Sequence, residues 1–585
     1  MSARWADGFA PTPGRDETRS RTVRAVVRFA VLFFSTPGHP GNRARMFGER
    51  GQTARNRLAP SPILDESRNM NNNKALFFAS FMTLIAAGVG FAIRGAILDD
   101  WSSQYGFTKG ELGTITGGGL TGFGVVILLA SLITDKLGYK PIMILAFVLH
   151  VLSAAMTLSA GAVYAASGKD ATFSVLFYGM FLFSVANGLC EAVINPLVAT
   201  LYPKQKTHYL NILHAGWPGG LIIGALLAKA IVGKVAWEIP MAVFLVPTLI
   251  YGAIVLVNKF PRSEASEAGV GFGSMLVQFA SPVLLLLLFL HACVGYVELG
   301  TDSWISNITE SFLEGQGLYL FIYASTIMFV LRFFAGPIVE HINPLGLLFA
   351  SALLGTTGLY MIGSSSAAAP IMVWVAVTVY SLGKTFLWPT MLGVVGERFP
   401  KGGALTMGAM GGIGMLSAGL LGGPGIGYKQ DKFASEKLQS EAPETYARYK
   451  AATSSNFLGI GEIFGIDGAK KGVILDGKGP GTELAKTVDL LASQKREIPD
   501  VTKLNEWWQE AKATADTDKE PVKNANIHGG QMALKLTALV PAVMALGYLI
   551  LVMYFAAKGG YKQEVLHGEK PDGERYTGGV QAPVE

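Results

Sequence analysis

The chain has 585 residues, 50% of them hydrophobic and only 15% charged, whereas soluble domains carry about 25% charged residues. That shortage of charge excludes a string of water-facing domains; the apolar residues gather instead into runs of roughly 20, the span of a bilayer core. The formal charge of +6 does not point to nucleic acid, because residues 1–69 hold 12 Arg and no Lys while residues 70–585 hold 7 Arg and 29 Lys. Cys190 and Cys293 both fall inside apolar runs, so neither a disulfide framework nor a cysteine metal cluster is expected.

Residues 1–69 are rich in Pro, Gly and Ser, and their best apolar stretch, 29–34, is too short to span. They read as a disordered extension upstream of a natural start at Met70, with a basic arm on anionic lipid as the alternative. Candidate spans then follow at 75–98, 112–134, 141–166, 173–202, 210–232 and 239–257, and a second set at 282–305, 318–339, 345–362, 370–395, 405–426 and 532–557. This predicts an all-α membrane protein with twelve transmembrane helices in two six-helix bundles. The first bundle is 70–257, a connector 258–279 follows, and 280–427 holds helices seven to eleven. An insertion at 428–528, the twelfth helix at 529–557 and a tail at 558–585 complete the chain. Lys136, Lys140, Lys204, Lys206, Lys259, Arg262, Arg398 and Lys401 lie on one side and only Lys109, Lys169, Lys229 and Lys234 on the other. That bias places both termini and the connector in the cytoplasm and the insertion outside, in a cell inner membrane.

An internal repeat links the two sets. In the fourth span Glu191 precedes Asn195-Pro196, and the helix runs out at Pro203-Lys204; in the tenth, Lys384 precedes Trp388-Pro389, and the helix runs out at Pro400-Lys401. The spacing from charge to intramembrane proline is the same in both.

The loop after span two reads S-L-I-T-D-K-L-G-Y-K at 131–140. Asp135, Lys136, Gly138 and Lys140 there resemble the G-x-L-x-D-[RK]-x-G-[RK]-[RK] pattern of the major facilitator superfamily, with Ser131 in place of Gly and Tyr139 in place of a basic residue. Arg332, Gly336 and Glu340 look like its second-half counterpart. The resemblance implies a conformational latch at these positions, in which an acid at a helix end holds neighbouring termini in one of two arrangements. Two further stretches, G-L-C-E-A-V-I-N-P at 188–196 and V-G-Y-V-E-L-G-T-D-S-W at 294–304, are similar to signatures of the fucose permease-like sugar symporters. That likeness implies a sugar carrier using alternating access and a proton. Span one departs from it: Arg94 and Gly95 stand where that family places an acidic coupling residue, so the usual proton pair is incomplete.

A charge at mid-bilayer costs about 2.5–3.5 kcal/mol, so each should face a partner or a polar cavity. Asn187, Glu191 and Asn195 recur at steps of four, His291, Glu298 and Asp302 at steps of seven and four, and Tyr380, Lys384 and Trp388 at steps of four; each set makes one polar stripe on its helix. Carboxylates and amides suit hydroxyls, and aromatic faces suit C–H surfaces. The expected substrate contacts are therefore Glu191, Asn195, Glu298, Trp304, Lys384 and Trp388, with His214 and Trp217 of N-I-L-H-A-G-W-P beside them. Internal salt bridges binding the halves together are the competing reading, and Glu191 with Arg94 is the expected charge pair. An ion pair there would hold the carboxylate charged unless substrate broke it.

No H-E-x-x-H, G-x-S-x-G or Walker pattern is present, so neither an enzyme nor a cofactor is expected. The glycine-rich run from Met407 reads as close helix packing in lipid. In the insertion, 432–452, 482–495 and 501–515 look helical. Few aliphatic residues are available there, which predicts hairpins leaning on the mouth of the bundle and no separate core. The expected partners are a small-molecule substrate of sugar or polyol type, the lipid bilayer and a proton, in a monomer. An organic anion held by Arg94 and Lys384, or a non-transporting sensor, are the alternatives.

Overall fold

The computed structural model describes residues 62–564 and 566, except 108, 118, 367, 494–496 and 498. Most of the Arg-rich extension lies outside the described residues. From Pro62, however, the chain is already helical and runs unbroken to Ala96, so the first helix begins ahead of Met70; proline suits the first position of a helix, where its missing N–H is not needed.

Among the described residues, eleven helices are long and apolar enough to cross a membrane. Spans one to six are Met70–Ala96, Glu111–Leu137, Tyr139–Leu158, Ala160–Leu201, Lys206–Ile231 and Glu238–Val257. Span seven is Pro282–Phe312, span ten Pro370–Arg398, span eleven Pro400–Glu441, and Pro499–Ala557 carries span twelve. The remaining helix, Gly317–Gly363, has 47 residues, about 70 Å at 1.5 Å per residue and more than twice a bilayer core. It is two spans. Asn343 leaves helical geometry at φ 52, its Oδ1 accepts from the Gly346 N–H at 3.0 Å, and Pro344 follows, so an N-cap and a first-turn proline start span nine. The chain thus forms twelve passes in two six-helix bundles.

Leu129, Leu285, Val246 and Ile371 are more than half exposed on the outer faces of the helices, a cost in water but the expected lining against hydrocarbon. Between the halves, span two packs along span eleven, and span five along spans eight and ten. Gly412 permits the first crossing: a Cβ there would sit 2.5 Å from Leu128 Cγ and 3.1 Å from the Gly124 carbonyl. Spans seven and eleven each contain a π-helical turn, Tyr296–Gly300 and Ala418–Gly422, and the two turns meet at Gly300 and Gly422.

The insertion differs from expectation. Span eleven does not end near 426 but continues to Glu441, and the helix Ala515–Thr537 leads into Leu539–Ala557, so the edges of the insertion form an antiparallel helix pair standing on the bundle. Short helices and a two-stranded hairpin, Ser455–Asn456 with Glu462–Ile463, cap it. Leu438, Tyr449, Ile466, Ile474, Val522 and Ala525 pack as a small core of their own, assembled from residues nearly 90 positions apart. Asp518, fully buried, accepts from Arg448 at 2.5 and 3.0 Å, from Thr445 at 2.7 Å and from Thr514 at 2.7 Å. This fork ties the cap to its stalk.

Candidate functional site

Span four brings its polar stripe to the interface between the halves. Glu191 is 4% exposed, and Asn195, one turn on, donates to its Oε2 at 2.6 Å and to its backbone carbonyl at 3.0 Å. The Asn195 Oδ1 faces Nε2 of His214 on span five at 2.8 Å, so the imidazole carries its proton on Nε2 in this arrangement. Glu191, Asn195 and His214 thus form one chain of hydrogen bonds. Trp217, one turn beyond His214, stacks edge-on with Phe91 at 5.4 Å.

Arg94 does not join them. Its guanidinium lies 3.8 Å over the ring of Phe183 and 4.7 Å over Phe244, donates to Ser153 Oγ at 3.1 Å and to the Gly90 carbonyl at 3.3 Å. Phe183 precedes Glu191 by eight residues on span four, about 12 Å along the helix. Two aromatic faces and a hydroxyl take up the cation, and the expected Glu191–Arg94 ion pair is absent among the described residues.

The second half supplies a balanced set of charges. Glu298, in the π-helical turn of span seven, pairs with Arg332 of span eight at 2.8 Å, and Asp302 pairs with Lys384 of span ten. Lys384 also lies 5.3 Å from the Tyr380 ring, whose hydroxyl donates to the Val297 carbonyl at 2.7 Å. Trp388 is buried with its ring 4.5 Å from His291. Trp304 lies apart from this centre: its indole donates to the Gly423 carbonyl at 2.8 Å, tying the C-terminal part of span seven to span eleven.

Arg332 has a different place from the one its likeness to a loop motif implied. It is 1% exposed; its Nη1 donates to the His214 carbonyl at 2.7 Å and its Nε to the Thr385 carbonyl at 2.8 Å. In an α-helix these carbonyls would accept from the N–H of residues 218 and 389, and both are proline, which has no N–H. One guanidinium therefore fills two proline-made vacancies, one in each half, and an acid besides. Glu340, two turns further along the chain, is half-buried and is not its partner.

The remaining residues of the expected latch lie where span two ends and span three begins. Asp135 Oδ2 accepts from the Ala404 N–H at 2.9 Å, at the start of span eleven, a carboxylate at a helix N-terminus. Gly138 holds φ 82 as span three begins, a geometry that favours glycine. Lys140 stays within its own half, donating to the Leu256 and Asn258 carbonyls at 2.9 and 3.0 Å, and Lys136 is exposed. A cross-half contact that the motifs did not single out lies nearby: Glu397, fully buried at the end of span ten, accepts from Thr207 Oγ1 at 2.5 Å and from the Tyr561 hydroxyl at 2.9 Å. Its signal in the sequence was an acid three residues before Pro400, where the repeat has Thr200 before Pro203.

Residues 76–423 match the family model of the Major Facilitator Superfamily. A cis,cis-muconate transport protein from Acinetobacter baylyi is 24% identical over 196 residues, 33% of this chain. The chain spans 44% of that relative's length. Among solved structures, the E. coli fucose:proton symporter FucP superposes with a TM-score of 0.51 at 15% identity, over 62% of this chain and 93% of that one. The proton:xylose symporter XylE gives 0.52 at 12% identity, over 61% and 88%. A bacterial homologue of the human lysosomal transporter Spinster, solved inward-facing and unoccupied, gives 0.54 at 13%, over 85% and 99%. At these identities the likeness is one of fold.

Proposed function

This chain belongs to the Major Facilitator Superfamily and is a multi-pass membrane transporter of a small molecule; we propose that its substrate is a neutral sugar or polyol, moved across the inner membrane by alternating access. The observation that carries this reading is the second oxygen of Glu298. Its Oε1 is taken by Arg332, while its Oε2 is buried with no hydrogen-bond partner among the described residues. An ionised carboxylate only accepts, so this oxygen calls for a donor such as a hydroxyl and repels an anion. The same guanidinium that holds Glu298 also reaches the His214 carbonyl, and His214 continues into the Asn195–Glu191 chain, so the reading takes these polar groups, with Trp388, as further substrate contacts. The names of two fold relatives, a fucose and a xylose symporter, agree with it.

The proposal extends to coupling: Glu191 exchanges a proton during the cycle, and its partner is the Asn195–His214 chain in place of a carboxylate on span one. An organic anion is the second reading, favoured by the likeness to a muconate transporter and by the cations Arg332 and Lys384. Both cations already hold carboxylates of the chain, which an anionic substrate would have to displace. Competition uptake into vesicles with hexoses, deoxyhexoses and organic acids decides between them. Inhibition by sugars or polyols is expected, and inhibition by acids alone would overturn the sugar reading; a protein that binds sugar yet never moves it would be a sensor.

A further inference from the structure

His291 is the least satisfied polar group on the interior face of span seven. Its side chain is fully buried, and neither ring nitrogen has a hydrogen-bond partner among the described residues. Buried polar groups are rarely left so, because each unpaired one weakens the fold. The surroundings are built around it nonetheless. Trp388 lies against the ring at 4.5 Å, and span eleven closes over both through Gly414, where a Cβ would sit 2.6 Å from Trp388 Cζ3 and 3.0 Å from His291 Cδ2. His291 is also near enough to His214 of the opposite half to interact with it electrostatically, and it stands two turns before Glu298, whose Oε2 is likewise unpaired. Two of the buried unpaired groups thus stand on one face of span seven, on the side that meets the other half through Arg332 and His214.

We infer that His291 is a substrate-contacting residue that both donates to and accepts from hydroxyls of the transported molecule, with Trp388 covering an adjacent C–H face. The inference rests on the sugar reading above and sharpens it. A neutral imidazole offers one donor and one acceptor. A carboxylate substrate could satisfy only the N–H and would leave the other nitrogen unpaired beside the free oxygen of Glu298, whereas a hydroxyl can serve either nitrogen. Two neighbouring sites on span seven thus ask for the same chemistry, and a polyol supplies it where an organic acid does not.

This assignment separates stability from affinity. In a residue kept for the fold, removal weakens both; in one kept for the ligand, removal of an unpaired buried imidazole should strengthen the empty protein and weaken the complex. The test is the melting temperature of purified full-length protein with and without a titrated panel of hexoses, hexitols and dicarboxylic acids, for wild type, His291→Leu and His291→Gln. The expected result is that His291→Leu melts at or above the wild-type temperature without ligand and binds the preferred polyol at least about tenfold more weakly, the order of one lost hydrogen bond. His291→Gln, which keeps a donor and an acceptor, should recover part of the affinity. Wild-type affinity in His291→Leu, or a lower melting temperature or failure to fold in that variant, overturns the role of His291 and leaves the sugar reading standing. Wild-type protein that answers to no polyol overturns both.

Discussion

Arg332 of span eight donates to the backbone carbonyl of His214 in span five at 2.7 Å, and that carbonyl is open because Pro218 cannot supply the usual helical N–H. The bond crosses between the halves and lands one residue's side chain away from the Glu191–Asn195–His214 chain. Glu298 is held by the same guanidinium, so the two polar stripes read from the sequence are joined through a single arginine.

Arg332→Lys should abolish transport although it keeps the charge, because an ammonium lacks the planar fork that serves the His214 and Thr385 carbonyls and Glu298 together. Arg332→Gln should in addition lower stability by about 3–5 kcal/mol, the usual effect of leaving one member of a buried ion pair behind. Melting curves and uptake on the same preparations check both. Pro218→Ala restores the competing N–H and should loosen the tie without unfolding span five; unchanged melting and transport in that variant would argue against the proline-made vacancy.

Glu191→Gln should keep counterflow exchange and lose accumulation driven by an imposed pH gradient, since the amide oxygen still accepts from the Asn195 N–H but the side chain carries no exchangeable charge. Wild-type uptake that ignores the gradient would end the proton proposal. Arg94→Gln, by contrast, should leave gradient dependence intact, because its guanidinium rests on Phe183 and Ser153.

At the end of the bundle where Asp135 and Glu397 lie, Glu397→Gln should loosen span ten from span five and Asp135→Asn should loosen span eleven from span two, since Thr207 and the Ala404 N–H lose their charged acceptor across the interface between the halves. Spin labels at the exposed positions Lys136 and Lys401, in a background with Cys190 and Cys293 replaced by serine, report the distance. A longer mean distance in both variants is expected; distributions identical to the parent's would refute closure by these contacts.

Asp518→Ala removes the buried acceptor of Arg448, Thr445 and Thr514. The cap should lose about 3 kcal/mol and become sensitive to protease between residues 442 and 514, while the bundle stays intact. Cleavage of right-side-out vesicles followed by fragment mapping tests this and the side on which the cap lies. Resistance equal to wild type would mean that the small apolar core suffices alone.

The twelve passes, their pairing into two halves and the polar stripe of Glu191 and Asn195 were readable from the sequence alone, because hydrocarbon imposes a run length on every span and helical geometry imposes a period of four on any polar face. Asn343-Pro344 even marked where one 47-residue helix divides. What the sequence did not contain was the rotation and depth of each helix against its neighbours, which packing decides. That rotation sent Arg94 onto Phe183 and away from Glu191, drew Arg332 from a supposed loop latch into the centre, and left Trp304 in the C-terminal part of span seven with Gly423. The core of the insertion was hidden for a related reason: Tyr449, Ile474 and Val522 are too sparse to signal a core locally, and they become one only when two long helices bring distant segments side by side.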